Sequence, residues 1–304
     1  MSKRIAVILN TGSGSASLTV AELESLLVAH GVVATVVSPK AAEEVSGSAV
    51  SLVRDGYDIV VAAGGDGTVS TVASALVESK TIMGVLPLGT LNHFAKDAGI
   101  PLTLPEAVRN LAEGEPVNVD VGDVNGKTFI NNISLGLYPA FVEARGNVRH
   151  LPRLMRWYSI LKAAMEAIQR SPALRARVVI DGAIMKRLTP IVFIGNNAYE
   201  LEGTLIGGRR SLNAGNLSII MTRRRGPWGI VRLVARAALG TLRGAKDLDA
   251  LLAKEIEVDT KDRHVKVAVD GEVTESMKRP LRCTVRPGAL RVLVPIQSSV
   301  ISQH

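Results

Sequence analysis

Aromatic residues are scarce in this chain: Phe, Trp and Tyr together make up 3% of its 304 residues. Base-stacking platforms for single-stranded nucleic acid need such rings, so nucleic acid is not an expected partner. Packing must rest instead on Val, Leu, Ile and Ala. A single cysteine, Cys283, excludes an intrachain disulfide and a cysteine-built zinc site, in keeping with a reducing compartment. The five histidines, His30, His93, His150, His264 and His304, are scattered without metal-ligand spacing. No run of about 18 apolar residues occurs, so no segment is expected to span a membrane. Residues 1–10 read as a strand and not as a signal peptide, which leads us to expect a cytoplasmic chain.

What is present points to two domains with real cores. The hydrophobic share is 47%, and the length exceeds that of one ordinary domain. The net charge of +8 is unevenly placed. Residues 143–187 hold ten basic and three acidic side chains, and residues 223–246 hold seven basic and none acidic, which leaves the remainder net acidic. Such patches attract phosphate-rich surfaces, whether nucleic acid or anionic lipid.

The first third alternates short apolar runs with helical spacing. Strands are predicted at 5–9, 32–37, 59–63 and 83–86, with helices at 18–30, 41–54 and 68–78. That alternation predicts a parallel sheet with right-handed crossovers, whose ligands sit beyond the carboxyl ends of the strands. After Pro116 the rhythm changes to short strands at 117–124, 128–133, 177–181, 191–195, 217–221, 256–258, 265–269 and 281–285. Asp181-Gly182 reads as a two-residue hairpin turn, and helical insertions are expected at 152–169 and 227–242. The expected fold is an α/β N-terminal domain with a parallel sheet, residues 1–122, followed by a mostly antiparallel β domain, residues 123–288. The end of the chain, 289–304, is expected to return to the first domain.

Gly64-Gly65-Asp66-Gly67-Thr68 follows the predicted strand 59–63 directly. Consecutive glycines let the backbone approach a polyphosphate, and the helix after them adds its positive end. A carboxylate at Asp66 suits such a loop if it acts through Mg²⁺, directly or by a water, or through a hydroxyl. A second loop, Pro87-Leu88-Gly89-Thr90-Leu91-Asn92-His93-Phe94-Ala95, again follows a strand. Thr90 can offer its hydroxyl and N–H to phosphate or nucleotide, and Asn92 can bridge the two loops. The first loop, Asn10-Thr11-Gly12-Ser13-Gly14-Ser15, has small residues suited to phosphate or ribose, although Ser17 stands where a dinucleotide fingerprint needs glycine. The stretch 122–128 ends in Gly-Lys-Thr but joins strands, so it is not a Walker A loop.

These two Gly-rich loops, with Asp120-Val121-Gly122 and the late Val269-Asp270-Gly271-Glu272, resemble the diacylglycerol kinase catalytic-domain family, which includes soluble bacterial lipid kinases and is related to sphingosine and ceramide kinases. The likeness runs from Asn10 to about Val294 and shares Gly64-Gly65-Asp66-Gly67-Thr68 with NAD kinases. It implies an ATP-dependent, Mg²⁺-requiring lipid kinase that makes phosphatidic acid from diacylglycerol. It implies nucleotide contacts from Asn10, Gly12, Ser13, Gly14, Ser38, Gly64, Gly65, Asp66, Gly67, Thr68, Thr90 and Asn92. Asp66, Asp120, Asp270 and Glu272 are the implied catalytic carboxylates, with Glu272 as the base that accepts the lipid hydroxyl's proton and Asp270 as its close support.

Two departures from the family pattern stand out. His93 follows Asn92 where many members have Asp, and Asp97, one turn later, is a candidate replacement, so Asp66, Asp97 and Asp120 form the expected metal set. Asn213-Ala214-Gly215-Asn216 lacks the Asp of the relatives' structural Mg²⁺ turn, and no such metal is assigned. The basic stretches include apolar stripes, such as Ile230, Leu233, Val234 and Ala237, with arginines off the stripe. They are expected to rest on an anionic phospholipid surface where the lipid substrate is met. The rival readings are an NAD kinase-like phosphotransferase and a non-catalytic nucleotide sensor.

Overall fold

The computed structural model describes residues 3–10, 18–136, 155, 174–200, 207–222, 248–260, 266–274 and 277–296. Gly12, Ser13 and Gly14 and the helical insertions expected at 152–169 and 227–242 lie outside the described residues, apart from Met155, which is helical. The chain divides into two compact units. One comprises Met1–Val121, Arg210–Ala214 and Arg286–His304, and the other Gly122–Arg209 and Gly215–Val285.

The first unit runs β1 (Ile5–Leu9), α1 (Val20–Ala29), β2 (Ala34–Val37), α2 (Glu44–Arg54), β3 (Ile59–Gly64), α3 (Asp66–Leu76), β4 (Ile82–Pro87), α4 (His93–Asp97) and α5 (Leu104–Glu113), then enters β5 (Glu115–Val124). The strands lie parallel in the order β2-β1-β3-β4, with Ile5 level with both Ala34 and Ile59. Strands β3 and β4 are buried along their whole length, as expected of continuous apolar runs covered on both faces. On one face Val7, Leu9, Val61 and Ala63 meet Leu23 and Leu27 of α1 and Ala107, Val108 and Leu111 of α5. Each such buried Leu is worth about 1.5–3 kcal/mol relative to exposure. Chain order reverses between β1 and β3, which makes the loops after those two strands the natural ligand crevice of this sheet.

The second unit is an antiparallel sandwich of β6 (Lys127–Phe129), β7 (Asn132–Gly136), β8 (Leu174–Ile180), β9 (Ala183–Thr189), β10 (Ile191–Asn196), β11 (Leu217–Thr222), β12 (Leu248–Ala253), β13 (Glu255–Thr260), β14 (Val267–Val269), β15 (Glu272–Thr274) and the first residues of β16 (Leu281–Val294). One sheet is ordered β12-β11-β10-β7-β14-β15, and the other carries β16-β13-β8-β9. Ile133, Leu135, Val192, Ile194, Leu217 and Ile219 from the first sheet form one core with Ala176, Val178, Ile256, Val258 and Leu281 from the second. The last residues of β16 belong to the first unit, where Val292 pairs in parallel with Met83.

Several elements differ from expectation. The strand predicted at 128–133 is two strands, β6 and β7, with a turn at Ile130 and Asn131 between them. The runs 281–285 and 290–294 are one strand, β16, carried straight through Pro287 and Gly288. Asp181-Gly182 is the expected hairpin turn, with φ of 44° and 87°. Residues 122–128 close the β5–β6 hairpin at Asn125-Gly126, where both residues have positive φ, and open no helix. No helix among the described residues is long and apolar enough to cross a membrane.

Candidate active site

Strand β3 delivers its chain into α3 with no intervening loop. Gly64 ends the strand, Gly65 caps the helix without a side chain to offer, and Asp66 is already its first residue. The amides of the first helical turn therefore point outward with no side-chain cap, a positive end suited to an anion. Glycine is needed at position 64 because a Cβ there would come 2.5 Å from the Thr68 hydroxyl. Thr68 is buried, and its hydroxyl accepts a 3.0 Å hydrogen bond from the Asn10 side chain, so the end of β1 is tied to the first turn of α3 at the switch point.

The second loop packs directly on the first. Leu88 N–H donates to the Gly64 carbonyl at 2.9 Å, and a Cβ on Gly89 would lie 2.6 Å from the Gly65 Cα. Asn92 adopts the left-handed conformation, and its side-chain amide donates to the Gly89 carbonyl at 2.8 Å. It thus closes its own loop, and the bridge between loops expected of Asn92 is made instead by its neighbour. The His93 N–H donates to Asp66 Oδ1 at 2.7 Å. Because that contact uses the backbone, the residue after Asn92 can be His without losing it. Thr90 is exposed at the loop tip, and Ser38 is exposed just beyond β2.

Asp97 and Asp120 are placed differently from Asp66. Asp97 is the buried last residue of α4. Asp120 is 2% exposed on β5, where its Oδ1 accepts the Gly288 N–H at 2.9 Å. Among the described residues no three His, Cys, Asp or Glu side chains gather as a metal site, so Asp66, Asp97 and Asp120 are not one ligand set.

In the second unit Asp270 and Gly271, with φ of 49° and 90°, form the two-residue turn between β14 and β15, and Val269 pairs with Glu272 across it. The Asp270 carboxylate is fully engaged by backbone. It accepts from Ile130 N–H at 2.9 Å, Asn131 N–H at 2.8 Å and Asn132 N–H at 3.0 Å. Glu272 is exposed at the start of β15, and its carboxylate has no hydrogen-bond partner among the described residues. Asp270 is thus a fixed anchor and Glu272 an accessible carboxylate. The 130–132 turn went unrecognised in the sequence. Its signal is Asn131-Asn132, two turn-forming residues inside an otherwise apolar run.

Two family models cover this chain. Residues 4–124 match the diacylglycerol kinase catalytic domain, and residues 132–294 match the YegS C-terminal NAD kinase beta sandwich-like domain. The chain is also 31% identical over 257 residues to the "probable lipid kinase YegS-like" of Pseudomonas aeruginosa strain PAO1, covering 82% of this chain and 80% of that protein. The chain belongs to the YegS-like lipid kinase family. A diacylglycerol kinase of Staphylococcus aureus strain JH9 is 28% identical over 201 residues, 64% of this chain and 62% of that one. Among solved structures, a diacylglycerol kinase from Bacillus anthracis strain Sterne superposes with a TM-score of 0.73 at 17% identity, over 97% of this chain and 98% of that chain. Yeast NADH kinase complexed with NADH gives 0.53 at 14% identity, over 98% and 85%. Both confirm the fold: an α/β unit followed by an antiparallel sandwich.

As a member of a lipid kinase family, the chain is a phosphotransferase. The two Gly-rich loops of its first unit pack so closely that a Cβ on either Gly64 or Gly89 would strike its neighbours.

Proposed function

We propose that this enzyme transfers the γ-phosphate of ATP to the hydroxyl of diacylglycerol, giving phosphatidic acid. The observation that carries the reading is the loop pair at the switch point: Gly64 to Thr68 held by Asn10 on one side and by Gly89 and His93 on the other. Phosphoryl transfer needs positioning and charge neutralisation above all. The first-turn amides of α3 and the small surfaces of Gly64, Gly65 and Gly67 supply both for the triphosphate, and Thr90 and Ser38 add hydroxyls toward the nucleotide.

Asp66 retains acceptor capacity beyond its single bond to the His93 amide, and one carboxylate plus phosphate oxygens is an ordinary Mg²⁺ environment. The cation, when bound with ATP, neutralises charge on the β- and γ-phosphates. Glu272 acts as general base. It accepts the proton of the acceptor hydroxyl as that oxygen bonds to the γ-phosphorus and the bond from phosphorus to the ADP oxygen breaks. Asp270 supports it by fixing the turn. The lipid is met at an anionic membrane surface, through the basic stretches of the second half of the chain.

The test is transfer of label from γ-labelled ATP to a panel of lipid alcohols in mixed micelles: diacylglycerol, ceramide, a long-chain base and a polyprenol, with NAD as control. Label in diacylglycerol, sharply reduced by Glu272→Gln, is the expected result. Label in NAD, or ATP binding with no transfer to any lipid, would overturn the reading.

A further inference from the structure

The peptide that Asp270 grips from its N–H side is gripped from its carbonyl side by an arginine. Arg209 is 5% exposed, and its Nη1 donates to the Ile130 carbonyl at 2.6 Å and to the Asn196 carbonyl at 3.2 Å. Its Nη2 donates to Asn131 Oδ1 at 3.0 Å. The amide linking Ile130 to Asn131 therefore has a guanidinium on its oxygen and, through the Asn131 N–H, a carboxylate on its nitrogen. The two charges polarise that amide in the same sense, so each strengthens the other's hydrogen bond in a site with little water.

The rest of the surroundings lock the arginine in place. The Asn196 side chain donates to the same Ile130 carbonyl at 3.1 Å, and Tyr199 Oη donates to the Asn131 carbonyl at 3.1 Å. Tyr199 also lies under the guanidinium, 5.4 Å from ring centre to Cζ, and pairs with Arg209 in a β-bridge. Gly195 leaves the space for that ring. Burying a guanidinium is costly unless its donors are used, and these contacts converge on the backbone that carries Asp270.

We infer that Arg209 is a positioning residue for the active site: it holds the 130–132 turn against Asp270 and so fixes the Asp270-Gly271 hairpin from which Glu272 projects. The catalytic part of this inference rests on Glu272 being the base. The structural part does not.

Two readouts separate them. Hydrogen exchange on the full-length chain is expected to show the amides of 130–132 and 270–272 exchanging ~10-fold faster in Arg209→Met, with β3 unchanged. In the lipid kinase assay, kcat is expected to fall ~10–100-fold with the KM for ATP unchanged. Arg209→Lys, which keeps one charged donor, should recover part of the loss, and it replaces the Met variant in both assays if that one fails to fold. Adding Arg209→Met to Glu272→Gln should cost nothing further. Wild-type exchange at 130–132, or an additive loss in the double variant, would overturn the inference. Full activity of Glu272→Gln would instead refute the base assignment, while the exchange result still decides whether Arg209 holds the turn.

Discussion

A methyl group at position 64 and one at position 47 should have opposite effects, although both replace glycine with alanine. At Gly64 the new Cβ would lie 2.5 Å from Thr68 Oγ1 and 2.6 Å from its Cβ, inside a buried strand-to-helix junction. Overpacking of that kind costs about 1–3 kcal/mol, and the Thr68 side chain it displaces is the one that accepts the bond from Asn10. Gly64→Ala is expected to lower the thermal midpoint and to weaken binding of a non-hydrolysable ATP analogue, read by calorimetry. Gly47 sits exposed inside α2 with nothing within 4 Å of a Cβ. Gly47→Ala should therefore stabilise by roughly 0.5–1 kcal/mol and leave nucleotide binding alone.

Cys283 gives the pH dependence at this scale. Burial, with the charge of Asp123 second, pushes its thiol from 9.0 up to about 12. Below pH 9 both folded and unfolded chains hold the proton, and stability does not vary on its account. Between about pH 9 and 12 the unfolded chain loses the proton and the folded one keeps it, so stability falls as pH rises, by about 1.4 kcal/mol per unit. Cys283→Ala should flatten that part of the denaturant-midpoint profile relative to the wild type. A thiol reagent at pH 8 should leave native Cys283 unmodified, because it is the neutral, buried form.

Elements were readable from sequence in proportion to how far local pattern and tertiary demand agree. The strands β1, β3 and β4 are short apolar runs, buried almost throughout, and the sequence locates them within a residue or so. Strand β12 was missed because Leu248–Ala253, with its Leu and Ala, favours helix, and its pairing with β11 decides the matter. Helix α5 was not predicted although Ala107, Val108 and Leu111 lie on its buried side, and Pro105 stands in its first turn, where a missing N–H costs no hydrogen bond. The Gly-rich loops were legible because glycine leaves a direct mark in the letters. The support beneath Asp270 was not, since the hydrogen bonds of Ile130, Asn131 and Asn132 are made by backbone amides that any residue has. Gly122 lies between these cases. It was legible as part of a motif, yet its physical reason is the Phe129 ring opposite it in the β5–β6 hairpin, which occupies the place of any Cβ. Gly122→Ala should cost about 1–3 kcal/mol or more, and adding Phe129→Leu should recover part of it, as read by urea denaturation. A loss that Phe129→Leu leaves untouched would show that Gly122 matters for some reason other than this packing.

At the scale of the whole molecule, the charge distribution makes the proposed membrane contact testable. A chain of net +8 whose arginines and lysines concentrate in 143–187 and 223–246 is expected to be drawn to anionic bilayers, with each basic residue near the surface contributing about 1 kcal/mol. Screening shortens the range of that attraction to about 8 Å at physiological salt and 3 Å at 1 M. The enzyme is therefore expected to sediment with phosphatidylserine-containing vesicles at low salt and to leave them as salt rises, and to ignore vesicles of phosphatidylcholine alone. Replacing Arg153, Arg156, Arg232 and Arg236 by Gln removes four charges from the two stretches and leaves the Gly-rich loops 64–68 and 87–95 unchanged in sequence. That variant should lose vesicle binding and keep its affinity for the ATP analogue, and its activity should drop on lipid presented in anionic vesicles more than on lipid in neutral micelles. Binding that survives both high salt and the four substitutions would mean that apolar insertion, not charge, brings the enzyme to its substrate.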